Sequence, residues 1–277
     1  MTRIAVLQMT SGIDPAANAA VLVDAVRAAR AGGATMLFTP EMSGLLDRQR
    51  ARAAAHIVSE AENPVLAAVC EAAAEEGLWV SIGSLAVAAE GQVEDGAARW
   101  ANRAFVIDGG GAIVARYDKI HMFDVDLATG ESWRESAAYV PGDQVATVDT
   151  PVGRLGLSIC YDLRFPALFE ALGRARCDCL AIPAAFTAPT GAAHWHVLQR
   201  ARAIEASAYV IAAAQVGRHE DGRETYGHSL VVDPWGEVLL DMGGAGPGLG
   251  FAEIEPSRIA EVRAQLPSLA NRRSISI

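Results

Sequence analysis

Apolar residues in this chain fall into short unbroken blocks, separated by longer stretches in which they recur with a helical period. Residues 4–9 form the first block and read as a fully buried strand. Residues 15–30 follow as a helix, with Asp14 as N-cap, Pro15 at its first position and Gly32-Gly33 beyond its end. A second strand, residues 36–38, stops at Thr39-Pro40 and delivers Glu41 to a strand terminus. Asn63 caps a helix to about Glu76, which Gly77 ends, and residues 78–87 give another strand.

The middle of the chain changes rhythm. Residues 100–107 and 113–117 flank Asp108-Gly109-Gly110-Gly111, a hairpin signal that predicts antiparallel pairing, and Lys119 follows directly. Residues 121–140 lose periodicity and read as a long loop carrying Glu131 and Glu135. Residues 145–149 and 154–159 form a strand pair leading to Cys160, and a helix over 165–174 begins around Pro166. A strand over 179–182, an irregular segment over 186–191, a helix over 194–207 and a β-rich run over 209–215 come next. Residues 229–232 and 237–240 pair across the turn Asp233-Pro234-Trp235-Gly236, and a strand over 248–254, a helix over 256–265 and a polar tail complete the chain. Hairpins alternating with single helices fit neither a Rossmann nor a TIM repeat, so two sheets, each covered by helices, are expected.

Composition narrows the class. With 277 residues, 51 % apolar and 20 % charged, the chain is within reach of one large α/β domain over residues 1–277, and no linker-like segment divides it. No apolar run approaches the roughly 20 residues that span a bilayer, and the first nine residues are too short for a signal peptide, so no membrane partner and a cytoplasmic location are expected. The net charge of −10 argues against nucleic acid as a partner. Four cysteines, Cys70, Cys160, Cys177 and Cys179, are too few for a disulfide scaffold and stay thiols in a reducing compartment.

Three reactive groups each follow an apolar strand: Glu41, Lys119 and Cys160. Strand ends on one edge of a sheet converge, and the three are chemically complementary. A thiol with a pKa of roughly 8.5 needs a base or a cation to react at neutral pH. Glu41 fits the base. Lys119 fits the stabiliser of the oxyanion formed when a thiolate adds to a carbonyl or nitrile carbon, worth roughly 3 kcal/mol per well-placed donor, with the Tyr161 backbone N–H as a second donor. Proton return from Glu41 helps an amine leave, and the same carboxylate can then activate water. Taken singly, Cys160 also fits a small core residue, the commoner fate of a free cysteine.

The words around these residues carry more. Phe38-Thr39-Pro40-Glu41, Tyr117-Asp118-Lys119-Ile120-His121-Met122-Phe123-Asp124 and Ile159-Cys160-Tyr161-Asp162-Leu163-Arg164-Phe165-Pro166 resemble, in that order, the three motifs of the nitrilase superfamily of carbon–nitrogen hydrolases. His194-Trp195 through Glu205, and Tyr226-Gly227-His228-Ser229 through Trp235-Gly236, resemble its Nit branch, and the likeness runs over residues 4–273. The resemblance implies an α/β fold, a four-layer αββα sandwich, with Glu41, Lys119 and Cys160 as a triad. It also implies pairing of subunits into an αββα-αββα homodimer. It implies a second acid before Pro141-Gly142-Asp143, which here is Glu135, holding Lys119 charged. Ala212 through His219, with the tail Leu266-Pro267 to Arg272-Arg273, looks most like the deaminated glutathione amidases. ω-Amidases on free keto-acid amides and N-carbamoyl amino acid hydrolases are the alternatives.

A carboxylate-bearing amide needs a local cation in so acidic a chain, and Arg164 is the candidate. Phe123, Tyr161, Phe186 and Thr187 are candidate substrate contacts, and Trp133 can close the same pocket. No cofactor and no metal is expected. His194 and His196 lie roughly 200° apart on the predicted helix, and neither they nor His121 and His228 have a carboxylate at ligand spacing. The Ala-rich stretch 201–208 and the tail from about residue 266 are candidate dimer contacts. A non-catalytic interaction scaffold that kept the fold is the reading of a different class.

Overall fold

A computed structural model describes residues 1–94, 97–128, 130 and 132–273; Glu131 lies outside them. In chain order the elements are β1 (Thr2–Gln8), α1 (Pro15–Ala31), β2 (Met36–Phe38), α2 (Arg50–Ala53), α3 (Pro64–Glu76), β3 (Trp79–Glu94), β4 (Ala97–Ile107) and β5 (Ile113–Asp118). They continue with β6 (Asp124–Asp126), β7 (Ser132–Arg134), β8 (Thr147–Thr150), β9 (Gly153–Leu157), α4 (Pro166–Arg174), β10 (Cys179–Ala181), α5 (Ala188–Ala206) and β11 (Tyr209–Ala212). The last are β12 (Val216–Arg218), β13 (Glu224–Tyr226), β14 (Leu230–Val232), β15 (Val238–Asp241), β16 (Gly248–Ile254), α6 (Pro256–Gln265) and α7 (Ser268–Asn271).

Two six-stranded sheets result, ordered β16, β1, β2, β3, β4, β5 and β15, β14, β11, β10, β9, β8. Period-two alternation sorts their side chains into layers. Ala5 and Leu7 of β1 pack with Leu22 and Val26 of α1 and Val69 of α3, while Ile4 and Val6 share a core with the second sheet and with Leu168, Phe169 and Trp195 of α4 and α5. The order is helix, sheet, sheet, helix, the αββα sandwich that the motifs imply. Capping follows the sequence: the Asp14 side chain accepts from Ala16 N, Asn63 accepts from Val65 N and Leu66 N, and Gly77 closes α3 with φ +62°.

Three segments differ from expectation. The loop over 121–140 contains the hairpin β6–β7, held by exposed polar pairs such as Asp126 with Arg134, which leave no trace in an apolar pattern. Helix α5 begins at Ala188, ahead of the expected 194. Pro189 sits in its first turn, and Gly191, which reads as a loop residue, is required because a Cβ there would lie 2.3 Å from Tyr226 Cγ. The hairpin β12–β13 lies just beyond the β-rich run expected over 209–215, in a stretch to which the pattern assigns no element.

Candidate active site

The Glu41 turn is fixed from both sides. Ser43 Oγ donates to the Pro40 carbonyl at 2.6 Å, Gly83 N donates to Thr39 Oγ1 at 3.1 Å and Met42 N donates to Ser84 Oγ at 3.0 Å. Gly83 is obligatory: a Cβ there would sit 2.1 Å from the Thr39 carbonyl and 2.4 Å from Pro183. Lys119 follows β5 and donates its backbone N–H to Asn102 O at 2.9 Å, tying it to β4. Glu41 and Lys119 thus come from the first sheet.

Cys160 comes from the second. It opens a short 3₁₀ turn, residues 160–164, just after β9, with φ +48°, a region that non-glycine residues rarely occupy. Two features hold it there. Its N–H donates to Pro183 O at 2.8 Å. Asp162, fully buried, accepts from Ile159 N at 2.9 Å, Tyr117 Oη at 2.7 Å and His121 N at 3.0 Å, and its Oδ1 lies 2.7 Å from His121 Nδ1. The expected position between a strand end and Pro166 is correct, but the turn is pinned by a carboxylate as well as by backbone.

Glu41, Lys119 and Cys160 meet at the wall of one cavity of about 640 Å³ and are 4 %, 2 % and 8 % exposed. Lys119 Nζ lies 3.0 Å from Glu41 Oε1 and 2.8 Å from Glu135 Oε2. Glu135 therefore stands where the motif resemblance puts it, and it also accepts from Phe123 N at 2.7 Å. Asn102, which sequence reading passes over, donates from Nδ2 to Glu41 Oε1 at 2.9 Å and to Glu135 Oε1 at 3.1 Å. Ala185 N donates to Glu41 Oε2 at 2.8 Å. A buried asparagine in an apolar strand has no spacing signature, so only the fold reveals it.

Electrostatics set the resting protonation. Burial pushes the Glu41 carboxyl up, but the Lys119 charge and hydrogen bonds from Cys160, Lys119 and Ala185 outweigh it and hold the carboxyl below its ordinary value. Burial and the Glu41 charge push the Cys160 thiol well up. Burial opposes the Lys119 charge, yet Glu135 and Glu41 together hold it well above its ordinary range. The cluster therefore rests as carboxylate, ammonium and neutral thiol, with Glu135 beside them. Moving the thiol proton to Glu41 leaves the net charge of the buried group unchanged, whereas losing it to water would add a second uncompensated anion.

The five expected substrate contacts all line the cavity: Phe123, Tyr161, Arg164, Phe186 and Thr187. Tyr161 stands edge-on to Phe123 with centroids 5.0 Å apart, and Arg164 lies over the Phe186 ring at 5.1 Å. Arg164 has no carboxylate within ion-pair distance among the described residues; its Nη1 is 3.2 Å from His194 Nδ1. Trp133 lines the cavity too, under the Arg223 guanidinium.

Two sandwiched sheets that join a thiol, a carboxylate and an ammonium at one cavity wall carry the equipment of a carbon–nitrogen hydrolase. The chain belongs to the carbon-nitrogen hydrolase family, whose pattern matches residues 3–264. It is accordingly a hydrolase of non-peptide carbon–nitrogen bonds, an amidase by its relatives. It is 38 % identical over 274 residues to the deaminated glutathione amidase of Yersinia enterocolitica, covering 99 % of this chain and 93 % of that one. Identity to the Homo sapiens deaminated glutathione amidase is 40 % over 271 residues, covering 98 % and 82 %. Among solved structures, the C. elegans NitFhit protein superposes with a TM-score of 0.88 at 37 % identity, and the match spans 98 % of this chain and 65 % of that longer one. An amidase from Nesterenkonia sp. AN1, with its active-site cysteine joined to acrylamide by Michael addition, gives 0.78 at 25 % identity over 96 % and 98 %.

Proposed function

We propose that the protein hydrolyses the amide of deaminated glutathione, with Cys160 as nucleophile, Glu41 as general base and acid, and Lys119 as oxyanion donor. The observation that carries this reading is the Lys119 ammonium held between Glu41 and Glu135 beside a neutral, buried thiol. Glu41 takes the thiol proton as sulfur adds to the amide carbon. The developing oxyanion is met by Lys119 Nζ and the backbone N–H of Tyr161. Glu41 returns the proton to nitrogen, ammonia leaves, and a thioester on Cys160 remains. Glu41 then deprotonates a water that attacks the thioester, and its proton returns to sulfur as the acid departs. One amide and one water give one carboxylic acid and one ammonia. Glu135 keeps Lys119 charged and fixed throughout.

The substrate assignment rests on two supports. The relatives that match nearly the whole chain carry that name. Arg48, Arg50 and Arg164 at the cavity have no carboxylate within ion-pair distance among the described residues and suit a carboxylate-bearing substrate in an otherwise acidic protein. We further infer a cytoplasmic homodimer. Val197 and Ile204 on one side of α5 are 61 % and 42 % exposed beside Trp235 at 50 %, an apolar face that a second copy would cover. Ammonia release from deaminated glutathione, α-ketoglutaramate and N-carbamoyl amino acids, for wild type and Cys160→Ala, tests the reading. Turnover of deaminated glutathione above the others, abolished in Cys160→Ala, is expected; no turnover of any would return the scaffold reading.

A further inference from the structure

His196, His228 and Asp241 come from α5, from the residue pair preceding β14 and from the end of β15. They meet at a partly exposed point on the helix-covered side of the second sheet. Asp241 Oδ2 is 3.0 Å from His196 Nε2, and its Oδ1 is 2.9 Å from His228 Nδ1. All three ligand atoms lie within 4.8 Å of one another. Ligands about 2.0–2.1 Å from a tetrahedral zinc stand roughly 3.3 Å from each other, and the two Asp241–histidine separations, one to each carboxylate oxygen, lie near that.

The positions are built rather than incidental. His228 has φ +54°, a region uncommon for non-glycine residues although histidine enters it more readily than most. Its carbonyl accepts from Trp195 Nε1 at 2.8 Å and its N–H donates to Gly243 O at 2.9 Å, so the fold holds that conformation from both sides. Tyr226 stacks on the imidazole with centroids 4.4 Å apart. Asp241 stands directly across from Leu230 in the β14–β15 pairing and also accepts from Gly243 N at 2.9 Å. That bond orients the carboxylate from behind, as outer partners do for metal-bound carboxylates.

We propose that His196, His228 and Asp241 bind one divalent transition-metal ion of the zinc class. Two imidazoles and one carboxylate are a borderline donor set that prefers zinc, cobalt or nickel to magnesium or calcium. Side-chain exposures of 35 %, 24 % and 34 % leave the remaining coordination positions to water, which makes the ion exchangeable. The ion would tie α5 to the β14–β15 hairpin. It takes no part in the amidase chemistry, whose residues are elsewhere. Sequence reading sets a histidine metal site aside on the spacing of His194 and His196, and the His196–His228–Asp241 grouping arises only once three separate elements are folded together.

The test uses untagged, chelator-treated full-length protein, with Cys160→Ala as a parallel background so that zinc captured by the active-site thiol is not counted. Zinc binding is followed by titration calorimetry and by metal content after dialysis, and cobalt by visible absorption. One zinc per chain with micromolar affinity, weakened by more than about tenfold in both His196→Ala and Asp241→Asn, is the expected result. His228→Asn, whose side chain tolerates positive φ, should behave alike with the fold intact by circular dichroism. Magnesium should give no heat. If the Cys160→Ala protein binds no zinc, the three side chains are a hydrogen-bonded cluster only and the proposal falls. It also falls if His196→Ala and Asp241→Asn bind zinc as tightly as their parent.

Discussion

Gln215 donates a hydrogen bond from Nε2 to the backbone carbonyl of Glu41 at 2.9 Å, across the seam between the two sheets. The same amide donates to Ser11 Oγ at 2.7 Å and accepts from Ser11 N at 3.0 Å, so one buried side chain sets the first sheet's carboxylate against the second sheet's thiol. Gln215→Leu strands these partners at a cost of about 1–3 kcal/mol each. Expected are a lower Tm and a kcat reduced by about tenfold or more with KM little changed, read by steady-state kinetics on folded protein.

Gly83→Ala forces a methyl group into the Thr39 carbonyl, the Pro40 backbone and the rigid Pro183 ring. The strand end bearing Glu41 must shift, and reactions lose roughly a hundredfold for a 1 Å misplacement. Near-complete loss of turnover, with thiol content by titration unchanged in the unfolded protein, is expected; wild-type activity would show the contact to be soft.

Glu41 must be ionised and Lys119 charged for reaction. The Glu41 carboxyl lies below its ordinary value of 4.5, so kcat/KM falls only as pH drops through that lowered value, under 4.5. On the alkaline side the Lys119 charge survives above its ordinary 10.5, so activity holds through neutral and mildly alkaline pH. Glu135→Gln removes one of the two carboxylates on Lys119. Its alkaline limb should move to lower pH and kcat should fall by about 10²–10³, as for loss of an oriented oxyanion donor. An unchanged pH–rate profile would detach Glu135 from Lys119.

Arg164→Ala should raise KM for keto-acid amides about tenfold, equivalent to about 1.4 kcal/mol, and leave KM for a neutral amide such as propionamide nearly unchanged. Equal effects on both would make Arg164 a wall residue, held by Phe186, Tyr161 and His194.

His219 is buried, with Nδ1 2.9 Å from Ser11 O and Nε2 2.8 Å from Thr225 Oγ1, and burial holds its pKa below the ordinary 6.5. A depressed folded value means the unfolded chain takes up the proton first. Its contribution to stability is complete above pH 6.5 and is lost as pH falls from 6.5 toward the folded value. Urea midpoints measured from pH 7.5 to 5 should decline for wild type and decline less steeply in His219→Gln.

The motifs were legible where chemistry and backbone coincide. Pro40 and Glu41, Lys119 after its strand, and Cys160 before Pro166 each sit at an apolar run's end, and the caps Asp14, Asn63 and Gly77 mark helix limits directly. Asn102, Asp162 and Gln215 were not legible as supports, because each acts on partners far along the chain and none has a local spacing that distinguishes it from an ordinary buried polar residue. The start of α5 was obscured by Pro189 and Gly191, whose roles there are a first helical turn and a close approach to Tyr226. The hairpin β6–β7 relies on exposed ion pairs to which hydrophobic periodicity is blind.

Because Glu41 and Lys119 are delivered by one sheet and Cys160 by the other, the thiol has neither its base nor its cation until both halves of the sandwich have docked. A nascent or half-assembled chain therefore carries a thiol with no base to take its proton and no cation to meet the oxyanion, and it cannot hydrolyse an amide. The rate at which ammonia release appears during refolding is thus a clock for closure of the seam.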